Sequence, residues 1–306
     1  MRHPLASLAA VLSLGLLTAG TASAEFAYAI GDGGASLIRF DTGSPGSASR
    51  VGFFQSGLFL DAIDFRTATG QLYGYSDLAD SYYTVNLSTG ALTRVGGGTG
   101  ATATNTFSLG MDFNPTIDRL RVVTESAQNI VFNPNDATST AATGLFYAAG
   151  DPGADPAKGP LIIDNAYTNN FAGANATVQY GLDHDRNTLV TIANNAGTLT
   201  TVAQIRVNNV VLDFNELAGL DITTTNGVNS AFAVLTANGS TGLYAINLAT
   251  GAATSQGSFG SQFGNVYGLA IAPSAVPEPA SLAMVAVGLA GAGLLGLRRR
   301  TSRNAA

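Results

Sequence analysis

Four aspartates occupy the same position in a repeated short strand, and they form the clearest chemical pattern in the sequence. Each follows an apolar residue, and three of them also follow a glycine two positions earlier; they are Asp64, Asp112, Asp183 and Asp221. If these strands surround one channel, the carboxylates could converge on a hard cation such as Ca²⁺, which prefers oxygen ligands. The alternative, which the sequence favours, is that each carboxylate accepts hydrogen bonds from its own following turn.

No other group of residues points to a catalytic reaction. The segment 183–187 (DHDRN) opens like a calcium loop, but Thr188 replaces the glycine and Asn194 the glutamate that such a loop needs. His184 aligns with apolar positions of the other repeats, which favours a core or partly buried histidine over a catalytic base. The chain has no cysteine, which excludes thiolate metal sites and cysteine nucleophiles. We therefore assign no catalytic residue, and calcium is the one cofactor considered.

The aspartate-bearing strand is the first element of a longer repeat. In residues 109–124 (LGMDFNPTIDRLRVVT) it is followed by a turn and a second apolar strand. A third strand ends in Thr-Gly in several repeats, a tight-turn signal because glycine adopts positive φ without strain. Fourth strands are predicted at residues 49–53, 92–95 and 252–255. Four short strands recurring every 40 to 50 residues or so predict a β-propeller.

The repeats number about five, and the ring should close on itself. The fifth repeat, at Tyr267, has room for only its first strand, and residues 26–30 supply the missing second strand. Pairing of the N- and C-terminal strands would remove exposed sheet edges. Segment 144–176, between the second and third aspartates, is interpreted as an insertion loop rather than an extra blade. A β-sandwich or an open solenoid is the alternative architecture.

The first 24 residues have the pattern of a secretory signal peptide. Arg2 and His3 precede an apolar run at residues 5–17, and Ala22 and Ala24 form a small-x-small cleavage pattern before Glu25. The sequence therefore predicts an exported protein whose mature domain spans residues 25–275. This domain has 9 basic and 19 acidic residues, a net charge of 9 − 19 = −10. Such a surface repels phosphate backbones, so nucleic-acid binding is excluded.

The C-terminal segment, residues 276–306, contains three features in order. Val276, Pro277, Glu278 and Pro279 precede an apolar stretch, predicted as a transmembrane helix over 281–297, and the cluster Arg298, Arg299 and Arg300 follows it. This order resembles the PEP-CTERM sorting signal of exopolysaccharide-producing Gram-negative bacteria. The resemblance implies recognition by the membrane protease exosortase, a transient anchor in the inner membrane, and transfer to the cell surface or beyond.

The repeat region resembles a bacterial family of secreted proteins, domain of unknown function 4394. The resemblance rests on the Gly-Leu/Met-Asp strands and on residues 166–170 and 177–183, and it implies no activity. Together these features favour a non-catalytic protein of the cell surface or extracellular matrix, associated with exopolysaccharide or biofilm. The alternative is a calcium-dependent propeller hydrolase or lyase that acts on polysaccharide or a lactone.

Overall fold

The computed structural model describes residues 25–96, 100–103 and 108–273. In this part of the chain, five β-sheets surround a common axis as the blades of a propeller, and a short hairpin lies between two of them. The innermost strand of each blade lies beside the innermost strands of the two neighbouring blades. This arrangement confirms the predicted all-β, five-bladed architecture.

Blade 1 joins the two ends of the described chain. Its innermost strand, β23, precedes β1, β2 and β3 in spatial order, and every neighbouring pair is antiparallel. These strands span Tyr267–Ile271, Phe26–Gly31, Ser36–Asp41 and Ser44–Phe53. The predicted closure of the ring by an N-terminal strand is confirmed.

Blades 2, 3 and 5 are regular four-stranded meanders. Blade 2 contains β4 to β7, at Ala62–Arg66, Gln71–Ser76, Ser81–Val85 and Leu92–Gly96. Blade 3 contains β8 to β11, at Leu109–Asn114, Arg119–Thr124, Asn129–Asn133 and Thr138–Ala141. Blade 5 contains β19 to β22, at Ala218–Thr225, Val228–Ala237, Ser240–Ile246 and Ala253–Ser258.

Blade 4 has five strands. Its spatial order is β13, β14, β15, β16 and β12, with β12 pairing in parallel to β16 at the outer edge. In chain order, β12 to β16 span Phe146–Tyr147, Ile162–Tyr167, Gln179–Asp183, Thr188–Ile192 and Thr198–Gln204. The hairpin of β17 (Arg206–Val207) and β18 (Val210–Val211) leads into blade 5. Short 3₁₀ turns lie at Asp32–Gly34, Asn194–Ala196 and Ser261–Phe263.

Blade 4 corrects one sequence prediction. Segment 144–176 is not an insertion loop, because it contains β12 and the innermost strand, β13. The strand at Gln179–Asp183, interpreted from sequence as innermost, is second in the sheet. The reason for the error is local: β14 contains the Tyr-Gly-Leu-Asp pattern of an innermost strand, whereas β13 lacks the glycine and carries a register shift between Ile162 and Asp164.

The hydrophobic core is divided among the blade interfaces. Five clusters of buried side chains occur among the residues that the structure describes, and each lies between two adjacent blades. In one of them, Ile63 and Phe65 of β4 pack against Tyr28 and Ile30 of β1. The Tyr28 and Phe65 rings meet edge to face at 5.7 Å. Burial of these apolar faces is the main force that holds the blades together.

Glycine on the innermost strands reflects the narrowness of the ring. A Cβ atom on Gly110 would lie 2.3 Å from the Cα of Asp164, and one on Gly219 would lie 2.5 Å from the carbonyl carbon of Gly268. Neighbouring backbones therefore approach too closely for any side chain. The repeated Gly-Leu/Met-Asp pattern is explained by this close approach.

The predicted signal peptide (1–24) and transmembrane helix (281–297) lie outside the described residues. Within the described residues, no helix is long and apolar enough to cross a membrane.

Replacement of Gly219 by alanine tests the close approach of the innermost strands. The added methyl group has to displace the Gly268 backbone, and we expect a loss of stability of about 1–3 kcal/mol, as for an overpacked core. Gly159→Ala is the matched control, because nothing lies within 4 Å of its Cβ position. Thermal melts of both variants measure the effect; equal melting temperatures would contradict the proposed packing.

Candidate functional site

Four aspartates lie on four innermost strands and face the centre of the ring. Asp64 lies on β4, Asp112 on β8, Asp164 on β13 and Asp221 on β19, and each side chain is at most 5% exposed. Asp64, Asp112 and Asp221 each offer a carboxylate oxygen, and these three oxygens lie within 4.8 Å of one another. The fifth innermost strand, β23, has Ala270 at this position.

Three of the carboxylates bond to the backbone of the next blade. Asp64 accepts a hydrogen bond from the Phe113 N–H at 2.8 Å, and Asp164 accepts one from the Leu220 N–H at 2.7 Å. Asp221 accepts from the Ile271 N–H at 2.6 Å. These aspartates therefore link blade 2 to blade 3, blade 4 to blade 5, and blade 5 to blade 1.

These hydrogen bonds satisfy an otherwise unpaired strand edge. An innermost strand pairs with its own blade on one side only, so its other edge presents N–H groups to a channel that is too narrow for another strand. Asp164 and Asp221 also accept from the N–H of the residue that follows each of them. The sequence analysis interpreted the aspartates as hydrogen-bond acceptors for their own turns. In the structure, they accept hydrogen bonds mainly from the backbone of the next blade.

Burial raises the pKa values of these carboxyl groups. Loss of hydration raises the pKa of Asp64, Asp112 and Asp164 well above the usual value, and proximity of the other aspartates raises it further. The pKa of Asp221 rises to about 7, again chiefly through burial. Within the described residues, no basic side chain forms an ion pair with any of the four. The cluster can accept protons or a cation.

Asp183 does not belong to this cluster. It ends β14, is fully buried, and accepts hydrogen bonds from the Tyr147 hydroxyl at 2.7 Å and from Nη1 of Arg186 at 3.1 Å. Asp164 takes the place that the sequence interpretation gave to Asp183. The signal for Asp164 was present, since Ile163 lies 52 residues after Met111 and 57 before Leu220, which are more even spacings than those through Leu182.

Asp183 and Arg186 support a surface cavity at the outer part of blade 4. Arg186 donates to the carbonyl oxygens of Gly153 and Lys158, at 2.8 and 3.2 Å, and so fixes the segment before β13. This segment and β12 line an open surface cavity of about 430 Å³, whose lining includes Phe146, Tyr147, Pro156, Lys158 and Pro160. Arg186, within residues 183–187, therefore positions this loop.

His184 lies in the turn after β14. Its Nδ1 lies 2.8 Å from the Phe214 carbonyl oxygen, and its Nε2 lies 3.9 Å from Glu216. The side chain is partly buried, which agrees with the interpretation from the sequence.

Glu25, the predicted mature N-terminus, contacts Thr225 through its side chain and Thr42 through its backbone N–H. The other residues of the predicted cleavage site and the sorting motif lie outside the described residues.

Comparison with known families gives two matches. The profile of DUF4394, a domain of unknown function, matches residues 36–270. The chain belongs to the DUF4394 family. The PEP-CTERM protein-sorting motif matches residues 275–300, and this motif implies export that depends on exosortase. A search of curated proteins gave no match.

Solved structures show only distant likeness to this DUF4394 protein. A nidogen/laminin complex shares 12% identity with a TM-score of 0.44, covering 81% of this chain and 98% of that one. A protein of unknown function from Bacteroides thetaiotaomicron shares 15% identity with a TM-score of 0.44, covering 74% and 57% of the respective chains. An auxiliary nutrient binding protein from the same organism shares 13% identity with a TM-score of 0.40, covering 67% and 51%.

A further carboxyl group of the DUF4394 domain, the partly buried Asp61, makes the stability of the fold depend on pH. Asp61 precedes β4 and lines a small cavity at one end of the channel, and burial raises its pKa to about 6. The folded state therefore retains a proton that the unfolded chain loses near pH 4. The contribution of Asp61 to the free energy of unfolding is therefore present at low pH and is lost as the pH rises through about 6.

The Asp61→Asn variant measures this contribution. Between pH 4.5 and 7.5, in chelator, the wild-type melting temperature should fall more steeply than that of Asp61→Asn, whose side chain is always neutral. Asp136→Asn should follow the wild-type curve, because hydrogen bonds from Thr138 lower the pKa of Asp136 and place its titration below this range. Identical slopes for Asp61→Asn and wild type would show that Asp61 has an ordinary pKa.

Proposed function

We propose that this DUF4394 protein is a non-catalytic protein of the cell surface or extracellular matrix, which exosortase processes and which binds exopolysaccharide of its producer. The observation that carries the proposal is the PEP-CTERM motif at residues 275–300, directly after a closed propeller. In this proposal, the apolar stretch 281–297 holds the chain in the inner membrane until processing. The propeller then remains at the surface or in the biofilm matrix.

Burial of the aspartate cluster favours a binding protein over a hydrolase. A carboxylate that acts as acid, base or nucleophile must contact the substrate. Asp64, Asp112 and Asp221 are each about 1% exposed, and Asp164 is 5% exposed. A sugar or lactone ring therefore has no access to these four groups. The calcium-dependent hydrolase considered from the sequence loses its main argument.

The cavity on blade 4 is the candidate site for a sugar polymer. It combines an exposed aromatic ring at Phe146 with the polar groups of Tyr147, Asp155 and Lys158 at its wall. Ligand sites commonly pair apolar and aromatic walls with a few fixed polar groups. Hydrogen bonds from Arg186 and to Asp183 hold the wall in place before any ligand arrives, which reduces the entropy lost on binding.

The net charge of the domain indicates which class of polysaccharide it can bind. Residues 25–275 have a net charge of −10, since they contain 9 basic and 19 acidic residues. Long-range repulsion opposes an acidic polymer, particularly at low ionic strength. Lys158, the basic side chain at the cavity wall, is already 3.4 Å from Asp185. We therefore propose a neutral polysaccharide as the ligand.

The polymer prediction can be tested with Phe146→Ala. Phe146 is 45% exposed, so its removal should change binding more than stability. We expect affinity for neutral exopolysaccharide purified from the producer to fall about tenfold, as for loss of an aromatic contact at a binding site. Affinity electrophoresis in gels with and without the polymer gives the measurement. Phe171→Ala, at a 41% exposed phenylalanine between β13 and β14, is the control and should bind normally.

Two results would oppose the polymer proposal. Failure of the wild-type protein to bind any polymer from its producer would remove the proposed function. Equal weakening by Phe146→Ala and Phe171→Ala would place the contact elsewhere than the blade 4 cavity.

The sorting prediction concerns the motif itself. Replacement of Pro277, Glu278 and Pro279 by alanine should leave a full-length chain in the membrane fraction of the producer. The wild-type chain should lose about 30 C-terminal residues and leave that fraction when exosortase is present. Immunoblots of fractionated cells, with and without the exosortase gene, measure both forms. Normal processing of the triple variant would exclude recognition through this motif.

A further inference from the structure

We propose that Asp64, Asp112 and Asp221 form a buried divalent-cation site on the propeller axis, suited to an oxygen-seeking ion such as Ca²⁺. The proposal concerns the centre of the ring and is independent of polymer binding at blade 4. Its basis is the geometry of the carboxylate oxygens, the hydrogen bonds that they lack, and the neutrality of their surroundings.

The spacing of the three carboxylates suits one shared ion. One oxygen from each residue lies within 4.8 Å of the other two. Two oxygens that each lie about 2.4 Å from a common Ca²⁺ are at most about 4.8 Å apart, because 2.3–2.6 Å is the usual Ca–O distance. The three residues come from blades 2, 3 and 5, so the oxygens approach the axis from different directions. Such an arrangement surrounds an ion instead of contacting it from one side.

Two of these side chains have an oxygen without a hydrogen-bond partner. Oδ1 of Asp64 and Oδ1 of Asp112 are buried and unpaired, although both residues are only 1% exposed. Buried polar atoms are almost always paired, since an unpaired one costs its full desolvation. Asp221, the third member of the site, already accepts backbone hydrogen bonds at both oxygens. A cation at this site would satisfy the unpaired oxygens of Asp64 and Asp112.

No protein cation neutralises the cluster within the described residues. The nearby Arg121 donates instead to Tyr167, Asn129 and Asn195, between blades 3 and 4. A bound divalent ion would supply the missing positive charge and an attractive partner for all three carboxylates. Asp221 can contribute while retaining its bonds to Ile222 and Ile271, because a carboxylate oxygen has two lone pairs. The ion would thereby connect blades 2, 3 and 5 directly.

The experiment uses the full-length chain in detergent, treated with chelator and then dialysed. Titration with CaCl₂ in a calorimeter at pH 7.5 should give one site per chain, and MgCl₂ serves as the competing probe. At a Ca²⁺ concentration of about 100 times Kd, the melting temperature should rise by about 5–10 °C. Asp112→Asn preserves the shape of the side chain and should weaken Ca²⁺ binding by at least about tenfold. Asp183→Asn removes an equally buried carboxylate outside the cluster and should bind Ca²⁺ as the wild type does.

A crystallographic measurement keeps the proposal testable if Asp112→Asn does not fold. Wild-type crystals grown with Mn²⁺ should give one anomalous peak between Asp64, Asp112 and Asp221. A peak elsewhere would overturn the proposal, as would equal loss of Ca²⁺ binding in Asp112→Asn and Asp183→Asn. Absence of heat and of any shift in melting temperature with millimolar Ca²⁺ or Mg²⁺ would also overturn it and leave protons as the partners of the cluster.

Discussion

The central constraint of this propeller is the unpaired backbone edge of each innermost strand. Five strands approach one axis so closely that neither another strand nor, at Gly110 and Gly219, a side chain fits between them. Their N–H groups nevertheless require acceptors, because an unpaired buried N–H is costly. Carboxylates of Asp64, Asp164 and Asp221 reach across to the next blade and accept these bonds. Aspartate, which is seldom buried in proteins, thus joins neighbouring blades at several places around the ring.

The use of aspartate carboxylates as acceptors creates a second constraint, which is electrostatic. Carboxylates that accept bonds from N–H groups bring negative charge into a region of low dielectric constant, and four of them lie close together. Protons or a cation must balance that charge. The proposed ion lies on Asp64, Asp112 and Asp221, because one carboxylate oxygen from each of these three residues lies within 4.8 Å of the other two. The buried negative charge therefore follows directly from the use of carboxylates as hydrogen-bond acceptors between blades.

Much of the fold could be predicted from the sequence because its signals are local. Short strands that recur along the chain, the Thr-Gly turns after several third strands, and the incomplete fifth repeat all indicate a closed propeller, and the structure has one. The assignment of Asp183 failed for an equally physical reason. Its strand copies the Gly-Leu-Asp pattern, while the true innermost strand has a register shift and no glycine. The cavity near Phe146 depends on Arg186 contacting a segment about 30 residues earlier, and spacing alone does not reveal such contacts.

The repeat of central aspartates is broken on one innermost strand, β23. Ala270 stands where a fifth aspartate would lie, on the strand that closes the ring. A fifth carboxylate there would add charge to a cluster that already has no basic partner among the described residues. The junction of blades 1 and 2 is instead joined by the Tyr267 hydroxyl, which donates to the Leu60 carbonyl oxygen at 3.1 Å, and by the packing of Tyr28 on Phe65. The junction of blades 1 and 2 therefore relies on a neutral hydrogen bond and apolar contact, whereas Asp64, Asp164 and Asp221 each join two blades through a carboxylate.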